Sequence, residues 1–93
     1  MYWLLYDITN SRIREKMVKT CMDYGFRRVQ KSCFLGEVSR TNIKRVESEI
    51  SGLIQEGDCV CLIPISPTDM KNIKTWGTQA VELRKKPEMV QFL

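Results

Sequence analysis

The spacing of apolar residues in this chain switches several times, and the order of those switches restricts the fold more than any composition figure. From Tyr2 to Ile8 the residues are almost all aromatic, leucine or β-branched, and Thr9-Asn10-Ser11 closes the run. A short, continuous apolar stretch of this kind reads as a buried strand ending at Asp7-Ile8. Between Ser11 and Tyr24 the spacing becomes helical. Ile13, Met17, Cys21 and Tyr24 share one stripe, Arg12, Lys16, Lys19 and Asp23 face elsewhere, and Gly25 follows where a left-handed cap belongs. Phe26 to Gln30 and Ser32 to Val38 are extended pieces with a bend near Lys31 and a bulge or turn at Gly36, read as a hairpin or one kinked strand. Helical spacing returns from Ser39 to Glu56 on Ile43, Val46, Ile50, Leu53 and Ile54, opened by Ser39 or Thr41 and stopped by Gly57. Asp58 to Ile65 is apolar again, and Pro64 suggests a strand end or a sheet edge.

Strand, helix, strand, strand, helix, strand is the split βαβ arrangement. It predicts an α+β, ferredoxin-like βαββαβ domain over residues 1–80, with both helices on one face of an antiparallel sheet. Ser66-Pro67-Thr68-Asp69 starts a turn or helical piece, and Ile73 to Val81 is expected to add a strand. Residues 81–93 form a C-terminal extension: a charged link, Leu83 to Pro87, then Met89 to Leu93, with no partner inside the motif. A chain of 93 residues has room for one domain of this size and buries too little surface to be very stable alone, so self-association is expected.

Lysine and arginine total 15 against 11 acidic residues, a net charge of +4, which favours a polyanionic partner, with nucleic acid first. Histidine is absent, so serine–histidine triads, cysteine–histidine pairs and imidazole zinc sites are excluded. Cys21, Cys33, Cys59 and Cys61 include no pair at Cys-x-x-Cys spacing; they read as buried free thiols in a reducing cytoplasm, with Cys59 and Cys61 in the core. The opening Met1 to Asp7 meets an acid too early for a signal peptide, and no run approaches a membrane span, so a cytoplasmic protein without a membrane partner is expected.

On the first strand Tyr2, Leu4, Tyr6 and Ile8 share one face, and Trp3, Leu5 and Asp7 the other. Helices cover one face only, so the second apolar face must meet another subunit or the bases of a nucleic acid. Asp7 ends this strand, where a carboxylate is costly to bury unless hydrogen-bonded, paired or bound to metal. Its plain reading is an Asx-type turn or helix cap. Its functional reading is one carboxylate of a magnesium site, completed by a second Asp7 across a two-fold axis. Arg12, Arg14, Arg27, Arg28 and Lys31 either neutralise phosphates near Asp7 or form a solvated basic surface. Phe34 either stacks on a base or joins the core.

Tyr6-Asp7-Ile8, then Tyr24-Gly25-Phe26-Arg27-Arg28-Val29-Gln30-Lys31-Ser32-Cys33-Phe34, then Asp58 to Pro64, together resemble the CRISPR-associated protein 2 family over roughly residues 1–80. The resemblance implies a ferredoxin-like homodimer with facing sheets, and a C-terminal segment that often crosses to the partner subunit. It implies magnesium-dependent endonuclease activity in some members, with Asp7 as the catalytic and metal-binding residue and Tyr6, Arg12, Arg14, Arg28 and Phe34 as nucleic-acid-binding positions. It also implies a role in spacer acquisition, with the dimer a scaffold for double-stranded DNA beside the larger CRISPR integrase. A stand-alone metal-dependent nuclease acting on RNA or DNA is the second reading. A third, an RRM-like single-strand RNA binder, shares the topology, but Ser32 to Gly36 lacks the aromatic third-strand motif.

Overall fold

The computed structural model describes residues 1–77. It contains β1 (Tyr2–Asp7), α1 (Ser11–Asp23), β2 (Phe26–Gln30), β3 (Cys33–Gly36), α2 (Arg40–Leu53), β4 (Cys59–Pro64) and a short α3 (Pro67–Asn72). The sheet order is β2-β3-β1-β4, and every neighbouring pair is antiparallel. This is the ferredoxin-like α+β fold, with the first strand in the interior of the sheet and β4 at one edge.

Local chemistry sets the helix limits. Asn10 caps α1 by accepting from Ile13 N–H at 3.0 Å, and Ser39 caps α2 by accepting from Asn42 N–H at 3.1 Å. Gly25, at φ +94°, turns the chain out of α1 into β2. The second helix stops at Leu53, short of the Glu56 expected from spacing, because Ile54 is already extended; the positive-φ Gly57 belongs to the turn that follows.

Packing follows the two periods. Leu4, Tyr6 and Ile8 from β1 and its end, Phe26 and Phe34 from the hairpin, Met17 and Cys21 from α1, and Ile43, Val46 and Ile50 from α2 make one buried cluster. Phe26 closes it where Gly36 stands opposite: a Cβ at Gly36 would lie 2.6 Å from the Phe26 ring, so this strand position requires glycine.

Some expectations are corrected. Phe26 to Gly36 is a true hairpin, and its irregularity falls between Arg28 and Gln30 on β2, leaving Gly36 in register. Cys59 and Cys61 are exposed on the outer face of the edge strand, not in the core; Cys21 and Cys33 are buried as expected. Pro64 ends β4 at the sheet edge, where its missing N–H costs no ladder bond. Residues 73–77 form no strand, and the rest of the Ile73 to Val81 segment and the extension at 81–93 lie outside the described residues.

Candidate nucleic-acid and metal site at the end of the first strand

Asp7 and Tyr6 are neighbours on β1 and face opposite ways. Asp7 pairs with Cys59 across the sheet and is exposed on the face away from the helices, with Trp3 and Leu5 before it. It is the only acidic residue in any of the four strands. Its carboxylate makes no hydrogen bond or ion pair among the described residues. The capping duty that would give it a purely structural reason is done by Asn10.

The loop behind Asp7 is pinned. Arg14, one turn into α1, donates from Nη1 to the carbonyls of Ile8 at 3.1 Å and Thr9 at 3.4 Å. That charge therefore sits beside the end of β1 and holds the backbone there. Arg12 is exposed on the first turn of α1.

On the helix side, Tyr6 is 6% exposed and its hydroxyl donates to the Lys31 carbonyl at 3.1 Å. Arg28 Nη2 donates to the same hydroxyl oxygen at 3.3 Å. The Arg28 guanidinium carbon lies 5.4 Å from the centre of the Phe34 ring, and that ring stacks on Tyr6 at 6.0 Å. Burial pushes the Cys21 thiol from 9.0 up to about 11, and the positive charge of Arg28 opposes that rise. Phe34 has no exposed surface, so it does not present a face to a base; it is the floor under Arg28. Arg28 and Asp7 therefore sit on opposite faces of the sheet, not around one pocket.

The open face also carries Cys59 and Cys61, whose apolar neighbours suggest the core. Cys59, Cys61 and Ile63 on β4 line up with Asp7, Leu5 and Trp3, all on the side away from α1 and α2. Leu5 and Ile63 are 38% and 40% exposed here, adjacent apolar side chains on neighbouring strands that a second surface could cover. Cys33 and Leu35 of β3 are the buried neighbours on this side. The Trp3 indole N–H is buried and makes no hydrogen bond of ordinary geometry among the described residues. It leans towards the Cys33 thiol, weakly opposing the rise that burial imposes on that group. A strand's apolar run cannot reveal that β4 is an edge, so period alone gave no signal for the two exposed cysteines.

Among the described residues no cluster of three or more acidic, thiol or imidazole side chains could hold a metal. At the end of β1 the exposed carboxylate is Asp7, a hard oxygen donor that suits magnesium because that ion keeps several waters and takes one or two carboxylates with substrate phosphates.

Residues 1–73 match the family described as CRISPR associated protein Cas2. The chain belongs to the Cas2 family. It is 42% identical over 48 residues to a CRISPR-associated endoribonuclease Cas2 of Chloroflexus aurantiacus, covering 52% of this chain and 56% of that one. A second Cas2 endoribonuclease, from Desulforudis audaxviator, is 31% identical over 68 residues, with 71% and 63% covered. The matched regions thus span less than two thirds of either relative's length. Among solved structures, Streptococcus pyogenes Cas2 superposes with a TM-score of 0.70 at 22% identity, over 82% of this chain and 98% of that chain. A hypothetical protein of Thermus thermophilus, TT1823, gives 0.65 at 26% identity, over 70% and 79%. These likenesses agree with the ferredoxin-like sheet order seen here. No described helix is long and apolar enough to cross a membrane.

Proposed function

We propose that this Cas2-family chain serves in CRISPR adaptation as a homodimeric scaffold that carries double-stranded DNA beside the CRISPR integrase, and that its paired Asp7 carboxylates also support magnesium-dependent phosphodiester cleavage. The observation that carries this reading is Asp7: an exposed carboxylate with no partner among the described residues, on the sheet face it shares with Trp3, Leu5 and Ile63, its capping role taken by Asn10. Leu5, Ile63 and Trp3 around it supply apolar area for a second copy to cover, and two copies meeting there place one Asp7 from each near the axis.

Each residue then has a task. Asp7 from both copies would hold the divalent ion and thereby set where a phosphodiester is hydrolysed by water. Arg14 keeps the Ile8–Thr9 backbone in place so that the carboxylate does not wander, and its charge raises the local potential for phosphate. Arg12 neutralises phosphates near the end of β1, and Arg28 those of nucleic acid that passes onto the helix side of the sheet. Magnesium, when bound, supplies Lewis-acid polarisation of the phosphodiester. The names of the curated relatives support the cleavage half, and the open face supports the dimer. Base stacking in the RRM manner is disfavoured, because β3 offers Cys33 and Leu35 to the open face and keeps Phe34 inside.

The test is cleavage of labelled single-stranded RNA and double-stranded DNA with magnesium or a chelator, for wild type and Asp7→Ala, alongside sedimentation and duplex binding. The expected result is cleavage lost with either treatment while dimer and duplex binding persist. Cleavage surviving Asp7→Ala overturns the assignment of the site. Loss of the dimer in that variant overturns the separation of scaffold from cleavage.

A further inference from the structure

We infer that Tyr6 is a positioning residue: its hydroxyl holds the Arg28 guanidinium ready for a nucleic-acid phosphate, while Phe34 supports it from below. This rests on the nucleic-acid binding proposed above and assigns Tyr6 and Phe34 a different part from direct contact.

Tyr6 is tied to the hairpin turn from both its main chain and its side chain. Its N–H donates to the Ser32 carbonyl at 3.1 Å, and its hydroxyl donates to the Lys31 carbonyl at 3.1 Å. Because the single hydroxyl proton is committed to Lys31, the oxygen's lone pairs are left to accept, and Arg28 Nη2 takes that place at 3.3 Å. Phe34, fully buried and stacked on Tyr6, puts its ring 5.4 Å from the guanidinium carbon. The guanidinium is thus held by an acceptor and by a ring, yet Arg28 is exposed and its other donors make no hydrogen bond among the described residues.

That combination is what phosphate recognition needs. An arginine already fixed loses little rotamer freedom on binding, and its unused N–H groups can grip phosphate oxygens as a fork. Arg14 makes the contrast, since its Nη1 is occupied by the Ile8 and Thr9 carbonyls. Tyr6 to Phe34 to Arg28 also places the held charge at the hairpin end of the sheet, on the face opposite Asp7, so a strand touching both must pass around that end.

The experiment is fluorescence anisotropy with a short DNA duplex, for wild type, Tyr6→Phe, Arg28→Ala and the double variant. Tyr6→Phe keeps the ring and is expected to weaken binding about three- to tenfold. Arg28→Ala should weaken it at least as much and lower the salt slope by about one. In the double variant, Tyr6→Phe should add nothing beyond Arg28→Ala. A Tyr6→Phe that binds like wild type, or that weakens binding by its full factor in the Arg28→Ala background, overturns the inference.

A merely structural tyrosine would not change guanidinium dynamics, so nitrogen-detected NMR of the Arg28 side chain gives a second readout. Slow Nη rotation in wild type and fast rotation in Tyr6→Phe are expected; fast rotation in wild type overturns the inference even if the variant fails to fold. Wild type that binds no duplex would sink the function proposed above, and the NMR comparison would still decide whether Tyr6 holds Arg28.

Discussion

Leu4 and Leu5 are chemically the same and adjacent on β1, yet Leu4 is fully buried under the helices and Leu5 is 38% exposed on the other side. Tyr6 and Asp7 repeat the contrast one step on. The helix-covered face uses its polar atoms sparingly and satisfies them: the Tyr6 hydroxyl has both a carbonyl and a guanidinium. The open face leaves apolar area uncovered, a carboxylate with no partner among the described residues and two thiols exposed. One strand thus carries a finished surface and an unfinished one, which puts the folded core on one side and, in the dimer proposed above, the contact with a second copy on the other.

The sharpest way to break this comparison is to truncate the two leucines separately. Leu4→Ala should cost about 2–5 kcal/mol in chemical denaturation, since it opens a cavity in a close-packed cluster. Leu5→Ala should cost less than about 1 kcal/mol in dilute solution, with its main effect on the dimer constant seen in sedimentation. Equal losses for both would mean the open face is part of the folded core.

Gly36→Ala comes next. The added methyl meets the Phe26 ring, and the expected loss is about 1–3 kcal/mol by the same measurement. A neutral result would show that the Phe26 ring can move aside, and that the hairpin is looser than its register implies.

Smaller is the pH effect at Cys21. Its thiol is neutral and buried, with the value raised from 9.0 to about 11, so the folded state holds the proton more tightly than the unfolded chain does. The stability it contributes is therefore complete below pH 9 and is lost as pH rises from there to about 11. Burial of Cys33 acts in the same sense. Denaturation midpoints across that window should fall for wild type and fall less for Cys21→Ala; parallel curves would remove Cys21 as the cause.

The mildest probe is a thiol reagent. Cys59 and Cys61 should react quickly and Cys21 and Cys33 slowly in dilute protein. Raising the concentration until dimers form should slow the first pair alone. If the fast pair stays fast in the dimer, the subunits meet elsewhere.

Much of this was readable from residue order. Both helices followed from the spacing of Ile13, Met17 and Cys21 and of Ile43, Val46 and Ile50, all buried or partly buried on the helix side of the sheet. Asp7 stands out because an acid ends an apolar strand, a local signal. What escaped depends on contacts far apart in the chain. Cys59 and Cys61 look like core until β4 is seen to pair, among the described residues, with β1 alone, which leaves it at the edge of the described sheet. Phe34 looked able to stack on a base until Leu4 and Tyr6 closed over it. The bulge falls between Arg28 and Gln30 because of how β2 meets β3, and no residue in that stretch announces it.

The alternation along β1 also limits how a gene for such a chain can drift. Substitutions at Tyr6 or Asp7 are graded changes, each confined to its own side. A codon inserted or deleted between Tyr2 and Tyr6 is different: with β1 paired to β3 and β4 on its two sides, a slip of one residue exchanges the faces and would send the carboxylate under the helices and the tyrosine away from the hairpin. Length changes in descendants should therefore collect in the Thr9–Asn10 loop and be purged from the strand, however freely its individual letters vary.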